Sequence, residues 1–203
     1  MATAICSKCG AEHGFTPVPL LNTAKDPSVK ERVRDGSLFI WECPCCGARN
    51  LLEFTTLYHD PDERFMVWLL PDGEIPALAA QAEGLENYTL RRVRDAGSLI
   101  EKVLIRDAAL DDRVVELCKW ITREELRQNN DDPALAGAPF KFFRSEGADN
   151  TLLFTYPSKG AMQVAEVGFH VYEDCRGILA RNPSVETPPG FAEIDAAWLS
   201  RYF

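Results

Sequence analysis

Two periods run through the apolar positions of this chain, and the switches between them mark its elements. Strand-like runs cover Gly14 to Leu21, Ser37 to Glu42, Asn50 to Tyr58 and Arg64 to Leu70, with His59-Asp60-Pro61-Asp62 as the turn joining the last two. Asp26-Pro27 reads as a helix cap with proline in the first turn, opening a short helix that runs to about Asp35 and stops at Gly36. Ala77 to Ala82 predicts a weak helix and Tyr88 to Val93 another strand. Two helices follow. Ser98 to Asp107 gathers Ile100, Val103 and Leu104 on one side, and Asp111 to Gln128 carries the stripe Leu110, Val114, Leu117, Cys118 and Ile121. Asn129-Asn130-Asp131-Asp132-Pro133, continuing to Gly137, is the strongest break in the pattern. Beyond it come three strands (Phe140 to Arg144, Leu152 to Tyr156, Gln163 to Phe169), then Val171, Cys175, Ile178 and Leu179 at helical spacing. A proline-bearing loop and a final short helix around Ile194, Ala197 and Trp198 close the chain.

This order predicts an α+β fold in two parts. Residues 1–130 would form a domain whose first 57 or so residues are a zinc ribbon joined to a small mixed sheet and helices. Residues 131–203 would form a small α/β segment.

Composition narrows the function classes. The chain has 203 residues, 46% of them hydrophobic, which excludes disorder throughout. Its net charge is −9, a poor balance for contacting phosphates, so nucleic acid is not an expected general partner. Residues 1–57 carry six basic and six acidic side chains, so the acidity lies outside the ribbon. The one basic cluster, Arg91, Arg92 and Arg94, straddles both faces of a strand and reads as solvated or ion-paired. No basic segment followed by an apolar run opens the chain, and no stretch has membrane-spanning length, so a soluble cytoplasmic protein is expected.

Seven cysteines are the unusual count. In a reducing compartment, paired cysteines read as metal ligands before disulfides. Cys6-Ser7-Lys8-Cys9-Gly10 and Cys43-Pro44-Cys45-Cys46-Gly47 share the pattern C-x-x-C-G. Two residues between ligands aim both sulfurs at one ion, and the glycine tolerates the backbone such a turn requires. Together Cys6, Cys9, Cys43 and Cys46 supply the four thiolates of a tetrahedral Zn2+ site; the same set also suits iron. Four protein ligands leave no position for water, so one structural zinc is expected, and it takes the formal charge from −9 to about −11. The 33 residues between the pairs exceed a minimal ribbon, but closure entropy grows slowly with length. Cys45 is then a bystander. His13 lies near the first knuckle with four better ligands available, and Cys118 and Cys175 fall on apolar helical stripes as buried small side chains.

The stretches ICSKCG, NTAKDPSVKERVRDGSLF, WECPCCG, LYHDPDERFMVWL and LIEKVLIRDAALDDRVVELCK, spanning about residues 5–119, resemble the CpXC family of bacterial and archaeal proteins, named for Cys-Pro-x-Cys knuckles. The second knuckle fits that name; the first carries Ser7 in place of proline. The resemblance implies one metal site at Cys6, Cys9, Cys43 and Cys46, and it supplies no activity.

Outside the cysteines the candidates are few. His59 beside Asp60 could serve as an acid/base pair, although adjacent strand residues face opposite ways, which favours turn-capping roles. Asp107, Asp111 and Asp112 sit where carboxylates cap a helix. No nucleophile elbow, P-loop, dinucleotide fingerprint or zincin string occurs. The expected function is therefore a non-catalytic, zinc-stabilised module that binds a protein or small ligand, with homo-oligomerisation open. An enzyme with an interdomain cleft near His59 and Asp60 is the first alternative, and a nucleic-acid-binding ribbon the second.

Overall fold

The computed structural model describes residues 2–74, 84–129 and 133–203. The helix expected over Ala77 to Ala82 lies outside them. Contacts divide the chain into two units, residues 1–100 with 189–192, and residues 101–188 with 193–203. The fold is α+β, built from small sheets and helices.

In the first unit, β1 (Ala2–Ile5) pairs antiparallel with β2 (Glu12–Phe15), and β4 (Ile40–Glu42) with β5 (Arg49–Leu51). Each hairpin ends in one cysteine knuckle. A four-stranded mixed sheet of order β3-β6-β7-β8 forms from β3 (Leu20–Asn22), β6 (Thr56–Asp60), β7 (Phe65–Leu69) and β8 (Thr89–Val93). In β6 and β7 burial alternates strictly. Tyr58 meets Val67 and Thr56 meets Leu69 across the ladder on the buried face. Helix α1 (Ser28–Arg34) buries Val29 and Val33, one turn apart, and Asp26 accepts the Ser28 N–H at 3.1 Å at its start. Gly36, at φ +74°, turns the chain into a short 3-10 segment, Ser37–Phe39, before β4.

Three sequence expectations change here. The run from Gly14 to Leu21 is two strands, because Pro17 and Pro19 cannot donate to a ladder. Its halves join different sheets. Asn50 to Tyr58 also divides, β5 closing the second knuckle hairpin and β6 entering the larger sheet. His59 and Asp60 are strand residues rather than turn residues, since β6 runs through Asp60 and the turn follows it.

Helix α2 (Ala96–Asp107) carries the chain into the second unit, which contains α3 (Asp112–Asn129), α4 (Phe169–Arg181) and α5 (Ala196–Leu199). Its sheet, order β11-β10-β9, is antiparallel and uses β9 (Lys141–Glu146), β10 (Thr151–Ser158) and β11 (Ala161–Val167). Leu117, Cys118, Leu152, Phe154, Cys175 and Trp198 form its buried interior. Cys118 and Cys175 are each fully buried, as their places on apolar stripes imply. Asp111 caps α3 by accepting the Arg113 N–H at 2.9 Å, whereas Asp112 is buried and pairs with Lys102 at 2.7 Å. Among the described residues, no helix is long and apolar enough to cross a membrane.

Candidate metal centre

The two knuckles are the same structure built twice. Counting from Cys6 and from Cys43, 37 residues later, both read Cys-x-x-Cys-Gly-Ala. In each, the first cysteine's N–H donates to the alanine carbonyl (Cys6 to Ala11, 3.0 Å; Cys43 to Ala48, 2.9 Å). In each, the glycine N–H returns to the first cysteine's carbonyl (2.9 and 2.8 Å). Gly10 and Gly47 sit at φ +71° and +67°. A Cβ at Gly10 would meet nothing within 4 Å, so glycine is needed there for its backbone conformation and not for space.

This duplication brings the four sulfurs of Cys6, Cys9, Cys43 and Cys46 within 4.8 Å of one another. Cys6 and Cys46 approach to 3.6 Å, Cys9 and Cys43 to 3.7 Å. Four ligands held about 2.3 Å from one ion at tetrahedral angles lie about 3.8 Å apart, so the set has the spacing of a tetrathiolate centre. The soft donors fit a thiophilic ion and not Mg2+ or Ca2+. The Cys9 N–H, opposed by burial and aided by the Lys8 N–H, stabilises the Cys6 thiolate and holds that thiol at about 6. Cys9 is pushed up to about 12: the Ala11 N–H favours its thiolate, but the thiols of Cys46 and Cys6 outweigh it. Crowded sulfurs of this kind cannot all ionise without a cation among them.

Asn50 supports the site, and the pattern of apolar and polar positions gave no reason to single it out. Its Oδ1 accepts the Ser7 N–H and Oγ–H, both at 2.8 Å, and its Nδ2 donates to Cys6 Sγ at 3.8 Å. It thus ties the second hairpin to the first knuckle and orients a ligand sulfur. Its position was recoverable: Asn50 stands seven residues after Cys43, as His13 stands seven after Cys6. His13 makes the reciprocal crossing. Its Nε2 lies 3.5 Å from Cys45 Sγ, and its ring rests 5.4 Å from that of Trp41.

The other sequence candidates, His59 and Asp60, have separate surroundings. Asp60 is 4% exposed, 3.1 Å from Lys30 Nζ, and accepts from the Glu63 N–H and the Tyr58 hydroxyl. Burial raises its pKa, but the hydrogen bond from Lys30 and the Glu63 N–H outweigh burial and hold it below its ordinary 3.8. His59 faces Asn22, its register partner on β3. Asn22 Oδ1 accepts the N–H groups of Ala24 (3.0 Å) and Lys25 (3.1 Å), which fixes its amide. Its Nδ2 therefore donates to His59 Nδ1 at 3.2 Å, and the ring proton sits on Nε2, facing Tyr88 Oη at 3.3 Å. Burial pulls the His59 pKa below 6.5, against the opposing charge of Asp60. A depressed folded value means that this ring's stabilisation is present above pH 6.5 and is lost as the pH falls through its folded pKa. Asn22→Asp, which would place a carboxylate at Nδ1, should raise the His59 pKa by about one unit or more, as followed by imidazole NMR titration. An unchanged pKa would show that Asn22 does not set the proton's position.

No curated protein and no solved structure matches the chain. The family described as CpXC protein matches residues 5–119, more than half of the sequence, and includes both knuckles. The chain belongs to the CpXC family.

Proposed function

We propose that Cys6, Cys9, Cys43 and Cys46 hold one structural Zn2+ and that the protein is a non-catalytic, zinc-stabilised module that binds a protein or small ligand. The carrying observation is the closed four-sulfur set at tetrahedral spacing. With four thiolates bound, the ion has no position for substrate water, and its chemistry is that of a cross-link. The hairpins it joins have strands of only three or four residues, too little to hold themselves.

The binding role is supported by apolar side chains that these hairpins expose. Ile5 is 62% and Leu51 59% exposed, and Ile40 pairs with Leu51 across its ladder. Burying such side chains against a partner removes apolar area from water, which is favourable. Against the catalytic alternative, Asp60 is engaged by Lys30 and His59 is held neutral between Asn22 and Tyr88. The net charge of −9 weighs against nucleic acid.

Metal analysis of the purified chain tests this reading. About one zinc per chain should survive gel filtration, and a strong chelator should remove it together with the near-ultraviolet circular dichroism of Trp41. Iron in its place, or no bound metal, would overturn the zinc assignment.

A further inference from the structure

The two knuckles share their backbone turn, and three of their side-chain differences lie in the contacts that cross between them. Ser7 corresponds to Pro44, Lys8 to Cys45, and Asn50 to His13. In the first knuckle the crossing residue is an amide, satisfied by the Ser7 N–H and hydroxyl. In the second, Pro44 has no N–H to offer, so an amide at the crossing position would lose its main donor. An imidazole stands there instead, and the residue after the proline is a cysteine. A ring nitrogen of His13, Cys45 Sγ and Cys43 Sγ all lie within 4.8 Å of one another, and Nε2 is the nitrogen that faces Cys45.

We propose that these three atoms form a second, open metal site, bridged to the first through the Cys43 thiolate. The ligand is a thiophilic divalent ion, Zn2+ being the probe. A tetrahedral ion bound by one nitrogen at about 2.05 Å and one sulfur at about 2.3 Å separates them by about 3.6 Å. His13 Nε2 and Cys45 Sγ are 3.5 Å apart. A thiolate sulfur has lone pairs enough for two ions, so Cys43 can serve both without leaving the first. Loading releases the Cys45 thiol proton to solvent and adds net positive charge to an anionic thiolate cluster. Trp41 packs against the His13 ring and fixes its plane. Cys45 is exposed, so the ion's fourth position opens to solvent and accepts water or a thiolate from outside. The first site is a closed cross-link; the second is an exchangeable ion beside it. This inference rests on the four-cysteine site holding its own ion.

The test is zinc titration of the full-length protein, followed by native mass spectrometry and by X-ray absorption at the zinc edge. The wild type should load a first ion, then a second more weakly. The doubly loaded form should show a metal–metal distance of about 3.5–4 Å, the separation in two-metal sites. Cys45→Ser and His13→Ala should keep the first ion and their folded circular dichroism while weakening the second by more than about 100-fold, beyond what losing a supporting partner costs. Saturation at one ion overturns the second site alone. Failure to bind any ion overturns the first site as well. A second ion that persists in Cys45→Ser, or that shows no metal–metal vector, overturns the bridged assignment.

Discussion

Cys46→Ser should leave the chain without zinc and unfold both knuckle hairpins, while the second unit stays folded. Serine's hydroxyl does not ionise near neutral pH, so the tetrahedron loses one of its four anionic ligands. The remaining structure cannot compensate. β1 with β2 and β4 with β5 are isolated two-stranded ladders, each of three or four residue pairs. Such hairpins are marginal in water. The Cys6–Cys46 and Cys9–Cys43 approaches, across 40 and 34 residues of sequence, join them, and the crossings of Asn50 and His13 add only a few contacts beside them. Structural zinc contributes about 10–16 kcal/mol of apparent binding free energy in small zinc-dependent folds, so even a partial loss exceeds what these hairpins hold in reserve. The second unit keeps its own interior around Leu152, Phe154, Cys175 and Trp198. In amide NMR spectra, the resonances of residues 2–15 and 40–51 should collapse toward random-coil positions and those of 141–181 should persist. Dispersed resonances for residues 2–15 and 40–51 in a metal-free Cys46→Ser protein would refute the structural role of the ion.

The four-cysteine cluster was legible because its signal is local. A pair of C-x-x-C-G strings fixes two turns, their glycines and the direction of four sulfurs without reference to the rest of the chain, and the structure gathers those sulfurs as the strings imply. Helices α2 and α3 were legible for the same reason, since a stripe recurring at helical spacing needs no partner to be recognised. What could not be read was set by pairing between distant segments. Phe15, Val18, Leu20 and Leu21 give Gly14 to Leu21 the look of one strand; only Pro17 and Pro19 reveal that its halves join different sheets. The parallel alignment that sets Asn22 opposite His59 depends on register across 37 residues. The crossing of His13 to Cys45, which gives that cysteine a neighbour, likewise spans 32 residues. Asn50 is intermediate: the repeat that locates it is present in the sequence, but its role appears only when the two hairpins face each other.

The second unit contains a buried charge cluster that no motif announces. Lys119, 7% exposed on α3, donates to Glu101 Oε1 of α2 at 3.1 Å and lies 2.6 Å from Glu116 Oε2 one turn before it. Glu101 Oε1 also accepts the Phe142 N–H of β9 at 2.7 Å, and Lys141 Nζ stands 4.0 Å from Oε2. Lys119 therefore joins the two helices through Glu101, and Glu101 joins them to the sheet. Burial alone would lower its pKa, but the charges of Glu101 and Glu116 outweigh burial and raise it above the ordinary 10.5. A raised folded value means that its stabilisation is fully present below about pH 10.5 and is lost only as the pH climbs through the folded pKa. Lys119→Met keeps the volume of the stem and strands two buried carboxylates, which should cost about 3–5 kcal/mol in urea unfolding at neutral pH. The deficit should shrink toward acid pH, because a stranded carboxyl can become neutral by taking up a proton. Adding Glu101→Gln and Glu116→Gln to Lys119→Met should recover most of the loss at pH 7, since amides keep the Phe142 hydrogen bond without a buried charge. If Lys119→Met alone lost less than about 1 kcal/mol, or if the triple variant were weaker than the single one, the cluster would not be the tie between α2, α3 and β9 that its geometry indicates.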